Sequence, residues 1–316
     1  MLETEALRRA LARAPRVVRV VVADTRGSTP REVGAAMLVG AEGLLHGTIG
    51  GGTLEHEAIA RARGLARHPG PDQVQTQALG PDLGQCCGGA VTLFHETWDA
   101  AKLAGVEGDV IARPLPGAPD EMPFAVTRLL ATARAQGVPP KAGLHEGWLI
   151  EPLARPEREL WIWGAGHVGR ALVSVIAPLP GLAITWVDTA PERFPDQIPE
   201  GVTMLPAADP ARLMPHAPPH AEHLILTYSH QLDLALCDAA LRRGFGFCGL
   251  IGSASKWARF RSRLAALGHE PARIAGISCP IGQPELGKHP QEIAVGVACE
   301  LLTTTARKEA MGGRTA

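Results

Sequence analysis

Two adjacent cysteines, Cys86 and Cys87, stand in the segment Leu83-Gly84-Gln85-Cys86-Cys87-Gly88-Gly89. Glycine turns on both sides let the backbone approach a ligand and keep the sulfur atoms accessible. Thiolates suit a soft metal ion or a relay of persulfide sulfur. A structural zinc site needs further ligands at spacings that this sequence lacks. A vicinal disulfide, or two ordinary small buried side chains, is the alternative.

A second segment, Gly164-Ala165-Gly166-His167-Val168-Gly169, follows a strand-like run and opens a predicted helix. In this context GxGxxG indicates a tight turn whose backbone approaches a phosphate at the positive end of the helix. Asp188 ends the next predicted strand, 19 residues past Gly169, where dinucleotide folds carry a ribose-binding acid. His167 is a candidate to hydrogen-bond a phosphate or to serve the structure alone. The pattern predicts a Rossmann fold with a nucleotide or dinucleotide, a different phosphorylated ligand, or none.

A third cluster, Gly50-Gly51-Gly52, precedes a helix predicted from Thr53 to about Arg67. Backbone N–H groups of such a turn can form an anion-binding nest, so all three glycines are candidate cofactor ligands. The cluster lacks the lysine of a Walker A loop, and Glu55 in the first turn would repel an anion. A turn with Thr53 as the helix cap is the alternative.

Gly252-Ser253-Ala254-Ser255-Lys256 again joins a predicted strand to a helix. Ser253 is a favourable helix cap, and Lys256 could meet a phosphate at the carboxyl edge of the sheet; capping alone is the alternative. His230 follows another strand and fits either a ligand-binding or a structural role. The other cysteines fall in helix or strand patterns and are expected to pack in the core: Cys237, Cys248, Cys279 and Cys299.

The elements that position these segments divide the chain into two domains, predicted at 1–153 and 158–316. Proline clusters near 139–140 and 152–159 mark the boundary, and residues 108–123, rich in proline, are expected to form a connector. In the second half, strands alternate with helices of about 10–15 residues, as in a parallel sheet covered on both faces. We predict an α/β protein in which a mixed α/β domain precedes a Rossmann-like, doubly wound parallel-sheet domain.

The composition excludes several classes of protein. The 316 residues carry 31 Lys and Arg against 32 Asp and Glu, and only 4% are aromatic, so a general nucleic-acid binder is excluded. No apolar run approaches the roughly 20 residues of a membrane span, and the first residues lack the apolar core of a secretory signal. Six cysteines do not make a disulfide scaffold, so we expect a cytoplasmic location with reduced thiols.

Six blocks, in order along nearly the whole chain, resemble the XdhC/CoxI family of xanthine dehydrogenase accessory proteins. The GxGxxG motif alone is common to many proteins. The blocks GTIGGGTLE and LGQCCGG ahead of it in one chain are specific for this family. The paired cysteines resemble the XdhC branch of the family. The blocks are GSTPREVGAAMLV (27–39), GTIGGGTLE (47–55), LGQCCGG (83–89), IWGAGHVGRAL (162–172), GLIGSASKWARF (249–260) and PIGQPELGKHPQEIA (280–294).

The resemblance implies a chaperone, and not an enzyme, for the molybdenum cofactor (molybdopterin). Such a protein holds the cofactor while a cysteine desulfurase supplies its terminal sulfido ligand, and then delivers it to apo-xanthine dehydrogenase. By position, Gln85, Cys86 and Cys87 would lie near the molybdenum, with the two thiols as candidate metal ligands. We also expect a homodimer. Two alternative functions stay open: a nicotinamide-dependent oxidoreductase, and nucleotidyl transfer to the cofactor. It also stays open which glycine-rich loop would hold the phosphate of the cofactor.

Overall fold

The computed structural model describes residues 1–80, 88–154 and 158–312, with side chains as far as residue 303. The chain forms two compact units, Met1–Arg155 and Pro156–Ala316. Each unit has its own buried apolar clusters, so each is described by itself.

An antiparallel sheet forms the centre of the N-terminal unit. Its strands are β1 (Val17–Arg26), β2 (Ala36–Val39), β3 (Leu44–Gly47), β4 (Gln73–Ala78) and β5 (Ala90–Trp98), and they lie in the order β3-β2-β1-β5-β4. Valines dominate the start of β1, and such β-branched residues favour a buried strand. Because side chains alternate between the faces of a strand, Val18 and Val20 pack towards helix α2 (Gly52–Arg67), whereas Val21 faces the opposite side.

A smaller antiparallel sheet covers that opposite face. It consists of β6 (Val110–Pro114), β7 (Gly143–His145) and β8 (Trp148–Pro152), and helix α4 (Phe124–Gln136) packs on its outer side. The prediction that 108–123 is only a connector is therefore wrong for β6, which pairs with β8 despite ending in Pro114. Proline is tolerated at the end of this strand because β6 lies at the edge of its sheet. Helices α1 (Thr4–Arg13) and α3 (Ala100–Ala104) complete the unit.

Buried charges join the two sheets of the N-terminal unit. Arg19 on β1 donates to Glu96 on β5 at 2.8 Å and to Glu151 on β8 at 2.7 Å. Arg113 on β6 reaches Glu96 at 3.0 Å and also pairs with Glu151. Burial acts to raise the pKa of Glu151, but the two arginines outweigh it and lower that pKa to about 2. The Glu151 carboxylate therefore stays ionised, as a buried charge does when it is paired.

A parallel sheet forms the centre of the C-terminal unit, and it confirms the predicted Rossmann-like fold. Its strands are β9 (Arg158–Trp163), β10 (Leu182–Asp188), β11 (Val202–Pro206), β12 (Glu222–Ile225), β13 (Phe247–Leu250) and β14 (Ile277–Ser278), in the order β11-β10-β9-β12-β13-β14. Its helices are α5 (His167–Ile176), α6 (His230–Arg243), α7 (Ala254–Ala266), α8 (Pro271–Ile274) and α9 (Pro290–Gly312).

Helices cover both faces of this sheet. Helices α5 and α9 pack on the face that includes Ile162 and Trp186, whereas α6 and α7 pack on the face that includes Trp163 and Cys248. The chain winds outward from β9 to β11 and then crosses back to β12, so β9 and β12 are neighbours whose connections leave in opposite directions. Ligands of such sheets bind outside the carboxyl ends of the strands at this switch point.

Candidate functional site

The glycine loop at 164–169 lies at this switch point, between β9 and the first turn of α5. Gly164 has a φ of +124°, and a Cβ there would lie 2.5 Å from the carbonyl oxygen of Leu226. A Cβ on Gly169 would overlap the carbonyl oxygen of Gly164. The packing of the unit therefore requires both glycines, independently of any ligand.

Gly166 differs from its neighbours because nothing in the fold requires it. Its φ is −71°, and no atom lies within 4 Å of the position that a Cβ would take. Gly166 is the cap residue of α5, so this open space lies at the start of the helix. The second glycine of a dinucleotide loop lets a pyrophosphate come close, and this open space is what that function needs. His167 is the first residue of α5 and is exposed.

Asp188 lies at the carboxyl end of β10, as predicted, but its carboxylate is already engaged. The side chain is 4% exposed, one oxygen accepts a hydrogen bond from the Ala165 amide at 2.5 Å, and the other accepts from the Thr189 amide at 2.6 Å. Arg193 lies 3.4 Å from the second oxygen. Asp188 thus fixes the glycine loop, and ribose binding by this residue stays a prediction.

Ser253 and Lys256 lie at the start of α7. The Ser253 hydroxyl caps the helix by accepting from the Lys256 amide at 3.2 Å. The Lys256 ammonium donates to Asp233 at 2.6 Å and to the carbonyl of Ile251 at 2.8 Å. Asp233 is buried and also accepts from Thr227, at 2.7 Å from its hydroxyl. Ser253 therefore caps the helix, and contacts of Ser253 and Lys256 with a cofactor stay predictions.

A cavity of about 500 Å³ opens at this edge of the sheet, beyond the carboxyl ends of β12 and β13. It adjoins the first turn of α5 through Val168, and it extends along α7 as far as Arg263. Tyr228 and His230 line it from the loop after β12 and the start of α6, and His230 stacks edge-on against Phe260. Its size falls in the range of small-molecule sites.

The nest predicted at Gly50-Gly51-Gly52 holds a carboxylate of the chain itself. Glu55 accepts hydrogen bonds from the amides of Ile49, at 2.9 Å, and Gly51, at 3.2 Å, and also from the Thr48 hydroxyl. Burial acts to raise the pKa of Glu55, but these hydrogen bonds outweigh it and hold that pKa below its usual value. Binding of an external anion here stays a prediction, and it requires Glu55 to move aside.

Gln85, Cys86 and Cys87 lie outside the described residues, but the residues that flank them are placed. The Leu79 amide donates to the Gly89 carbonyl at 2.7 Å, and Gly89 packs directly against the backbone of Ser28. A Cβ on Gly50 would lie 2.5 Å from the side chain of Pro30. Described residues of the three glycine-rich segments 27–34, 47–55 and 88–89 therefore meet at one end of the N-terminal sheet.

The remaining cysteines do not form a thiolate site among the described residues. Cys237 and Cys248 are buried as predicted, and burial raises the pKa of Cys248 to about 12. The prediction that Cys299 packs in the core is wrong, because this residue lies exposed on the outer side of α9. Cys279 is half-buried. Within residues 1–80, 88–154 and 158–303, no three His, Cys, Asp or Glu side chains are placed to hold a metal ion.

The cavity is also lined by three residues that were not predicted from the sequence, Asp233, Arg259 and Arg263. The signal for the arginines was the spacing i, i+3, i+7 from Lys256, which places all three side chains on one face of a helix. Asp233 carried no comparable signal, because its partners Thr227 and Lys256 come from two different connections.

Among the described helices, none combines the length and the hydrophobicity that a membrane span requires.

Both units match known protein families. Residues 160–301 match the model described as the XdhC Rossmann domain, and residues 10–76 match the model described as the XdhC and CoxI family. The curated protein YqeB of Escherichia coli K12, described as uncharacterized, is 26% identical over 296 residues. The match covers 92% of this chain but 44% of YqeB, so the chain spans less than half the length of that relative.

One solved structure resembles nearly the whole chain. It is a crystal structure from Bacillus halodurans, named a xanthine dehydrogenase, with 18% identity and a TM-score of 0.72. The similarity covers 97% of this chain and 96% of that chain. At this level of identity the similarity shows a shared fold.

Proposed function

We propose that the chain is an accessory protein of xanthine dehydrogenase that carries the molybdenum cofactor, since residues in both of its units match models of the XdhC and CoxI proteins. The cofactor is cargo in this proposal. The protein holds it while a cysteine desulfurase supplies the terminal sulfido ligand, and then delivers it to apo-xanthine dehydrogenase. The observation that carries the proposal is the match of both units to this family, at residues 10–76 and 160–301.

The N-terminal unit supplies the proposed contact to the metal side of the cargo. Three of the six blocks that carry the resemblance have described residues at one end of its sheet, where Gly89 meets Ser28 and Gly50 meets Pro30. Gln85, Cys86 and Cys87 belong to one of these blocks, and thiolates are suitable ligands for a soft oxo- or thio-substituted metal. This convergence supports a single cargo site that includes the two cysteines.

The hand-off requires brief contacts with two partners. Transient complexes bury small interfaces, and their polar rims make association sensitive to salt. We propose that the desulfurase and apo-xanthine dehydrogenase bind in this way, that the protein works as a homodimer, and that it acts in the cytoplasm. Co-purification with neither partner after crosslinking of the cargo-loaded protein would contradict this part of the proposal.

A nicotinamide-dependent oxidoreductase is the second candidate function. It is favoured by the geometry of the 164–169 loop, where Gly166 leaves space in front of α5 and Asp188 ends the adjacent strand. The discriminating measurement is the ligand released by heat from the purified protein. Release of NAD, with substrate turnover at about 1 per second or faster, would favour the oxidoreductase over the carrier.

The carrier proposal is tested on protein produced in a molybdenum-replete host. Bound molybdenum and pterin are measured in the wild type, Cys86→Ala, Cys87→Ala and the control Cys299→Ala, which removes an exposed thiol from the other unit. Loss of one soft ligand from a site with several contacts should weaken binding by about 5- to 150-fold, which corresponds to about 1–3 kcal/mol. We expect at least one of the two loop variants to lose sulfurated cargo with an unchanged melting temperature. Full loading of both variants, or an equal loss in Cys299→Ala, would contradict the role of the cysteines.

A further inference from the structure

The cavity beside α7 has an excess of positive charge that the fold does not use. Lys256, Arg259 and Arg263 line it, and Asp233 is its one lining carboxylate among the described residues. Asp233 is buried against the Lys256 ammonium at 2.6 Å, so these two charges neutralise each other. The two arginines therefore give the cavity a net formal charge of +2, although the chain as a whole has a formal charge of −1.

Arg259 and Arg263 lie on the exposed side of the cavity, one helical turn apart on the same face of α7. Over the described part of the chain, neither guanidinium has a hydrogen-bond or ion-pair partner. By contrast, the other arginines of this unit that lie near carboxylates are paired, as Arg242 is with Asp238 at 3.1 Å. Two unpaired guanidinium groups that face the same cavity present planar arrays of donors suited to phosphate oxygens.

The start of helix α7 adds to this potential. Helices α6 and α7 both begin at the cavity, with Ser229 and Ser253 as their caps, and both are longer than ten residues. The first turn of α6 contains Asp233, which offsets the positive end of that helix, whereas the first turn of α7 contains no acidic residue. A helix N-terminus favours an anion nearby, so the positive end of α7 and the charge of the arginines act in the same direction.

We propose that this cavity binds the phosphate-bearing end of a small-molecule ligand, with Arg259 and Arg263 as the residues that contact the phosphate oxygens. Lys256, held in place by Asp233 and Ile251, has a third donor for the same group. Val168 of α5 also lines the cavity, so a ligand that lies along the sheet edge from Gly166 can place its far end here. The proposal goes beyond cargo binding, because it concerns a phosphate site in the Rossmann unit whatever the rest of the ligand is.

The test is calorimetric titration of the full-length protein with inorganic pyrophosphate at low ionic strength. Arg259→Ala and Arg263→Ala each remove one charged contact and should weaken binding about tenfold or more. Arg261→Ala is the matched control, because Arg261 is an exposed arginine of the same helix that does not line the cavity. Melting temperatures are measured for all variants, and we expect them to stay close to that of the wild type.

Weaker binding in the two cavity variants, with wild-type binding in Arg261→Ala, would support the proposal. It would be overturned if the wild type does not bind pyrophosphate, if the cavity variants bind it normally, or if Arg261→Ala is equally weak. The last outcome would mean that only the general surface charge attracts the anion. Because this titration contains no molybdenum and no partner protein, its failure would leave the carrier proposal standing.

Discussion

Replacement of Gly166 by valine should separate ligand binding from folding. Gly166 has an ordinary φ of −71°, and a Cβ there meets no atom within 4 Å. Gly169 is the matched position in the same loop, where a Cβ would overlap the carbonyl oxygen of Gly164. The two substitutions introduce the same side chain three residues apart, but only one of them collides with the protein.

The expected magnitudes follow from these contacts. At Gly166 the change replaces a tolerated helix cap by a poor one, which costs about 1 kcal/mol of stability. For a domain of this size that lowers the melting temperature by about 2–4 °C. At Gly169 the backbone of the loop must shift, and forced overpacking of this kind costs about 3 kcal/mol or more. We therefore expect Gly166→Val to fold and Gly169→Val to destabilise the C-terminal unit severely.

The assay combines thermal unfolding with titration of ADP, which carries two phosphates and a ribose. The wild type should bind ADP, and Gly166→Val should fold but fail to bind, because its side chain fills the space in front of the first amides of α5. Unfolding of Gly166→Val, ADP binding by this variant at the wild-type affinity, or a wild type that does not bind ADP would each contradict the proposed role of Gly166.

Three further predictions concern groups that the structure holds in specific environments. Lys256→Met leaves the buried Asp233 without its ion-pair partner, so the free energy of unfolding should fall by about 3 kcal/mol. Adding Asp233→Leu to that variant should recover part of the lost stability. A loss below about 1 kcal/mol for Lys256→Met in chemical denaturation would contradict the pairing. Burial lowers the pKa of His95 and of His223 to about 4, so the unfolded chain binds protons that the folded units exclude as the pH falls from about 6.5 towards 4. Stability should therefore decrease by about 2 kcal/mol per histidine between pH 7 and pH 5, and a flat profile in urea unfolding would refute this. Glu55→Gln removes the carboxylate charge that accepts from the amides of Ile49 and Gly51. It should lower the free energy of unfolding by about 1 kcal/mol and increase the affinity for inorganic phosphate. Unchanged phosphate binding would show that the nest does not accept an external anion.

Local patterns in the sequence were sufficient for the Rossmann unit. The run Leu160–Trp163, the glycine loop and the following amphipathic helix predict strand β9 and helix α5, and the structure has both. These elements are predictable because hydrophobic periodicity and glycine spacing are properties of consecutive residues. The capping role of Ser253 belongs to the same class, since it depends only on the start of one helix.

Features that depend on distant residues could not be predicted in this way. Arg19 and Glu151 are 132 residues apart in the sequence, yet they form the buried ion pair between the two sheets of the N-terminal unit. The sequence did not predict strand β6, because prolines end and follow Val110–Pro114, and its pairing with β8 depends on tertiary contacts. The sequence predicts that Glu55 repels an anion at this turn, but only the structure shows that the Glu55 carboxylate itself occupies the nest.

Reactivation of apo-xanthine dehydrogenase tests the carrier proposal most directly. The purified protein, loaded with sulfurated molybdenum cofactor, is mixed with the cofactor-free enzyme, and hydroxylase activity is followed over time. The proposal predicts that activity appears, that the cargo-loaded protein loses molybdenum and pterin in step with it, and that at least one of Cys86→Ala and Cys87→Ala fails to deliver. If the loaded wild-type protein retains its molybdenum and the enzyme stays inactive, the carrier proposal is wrong.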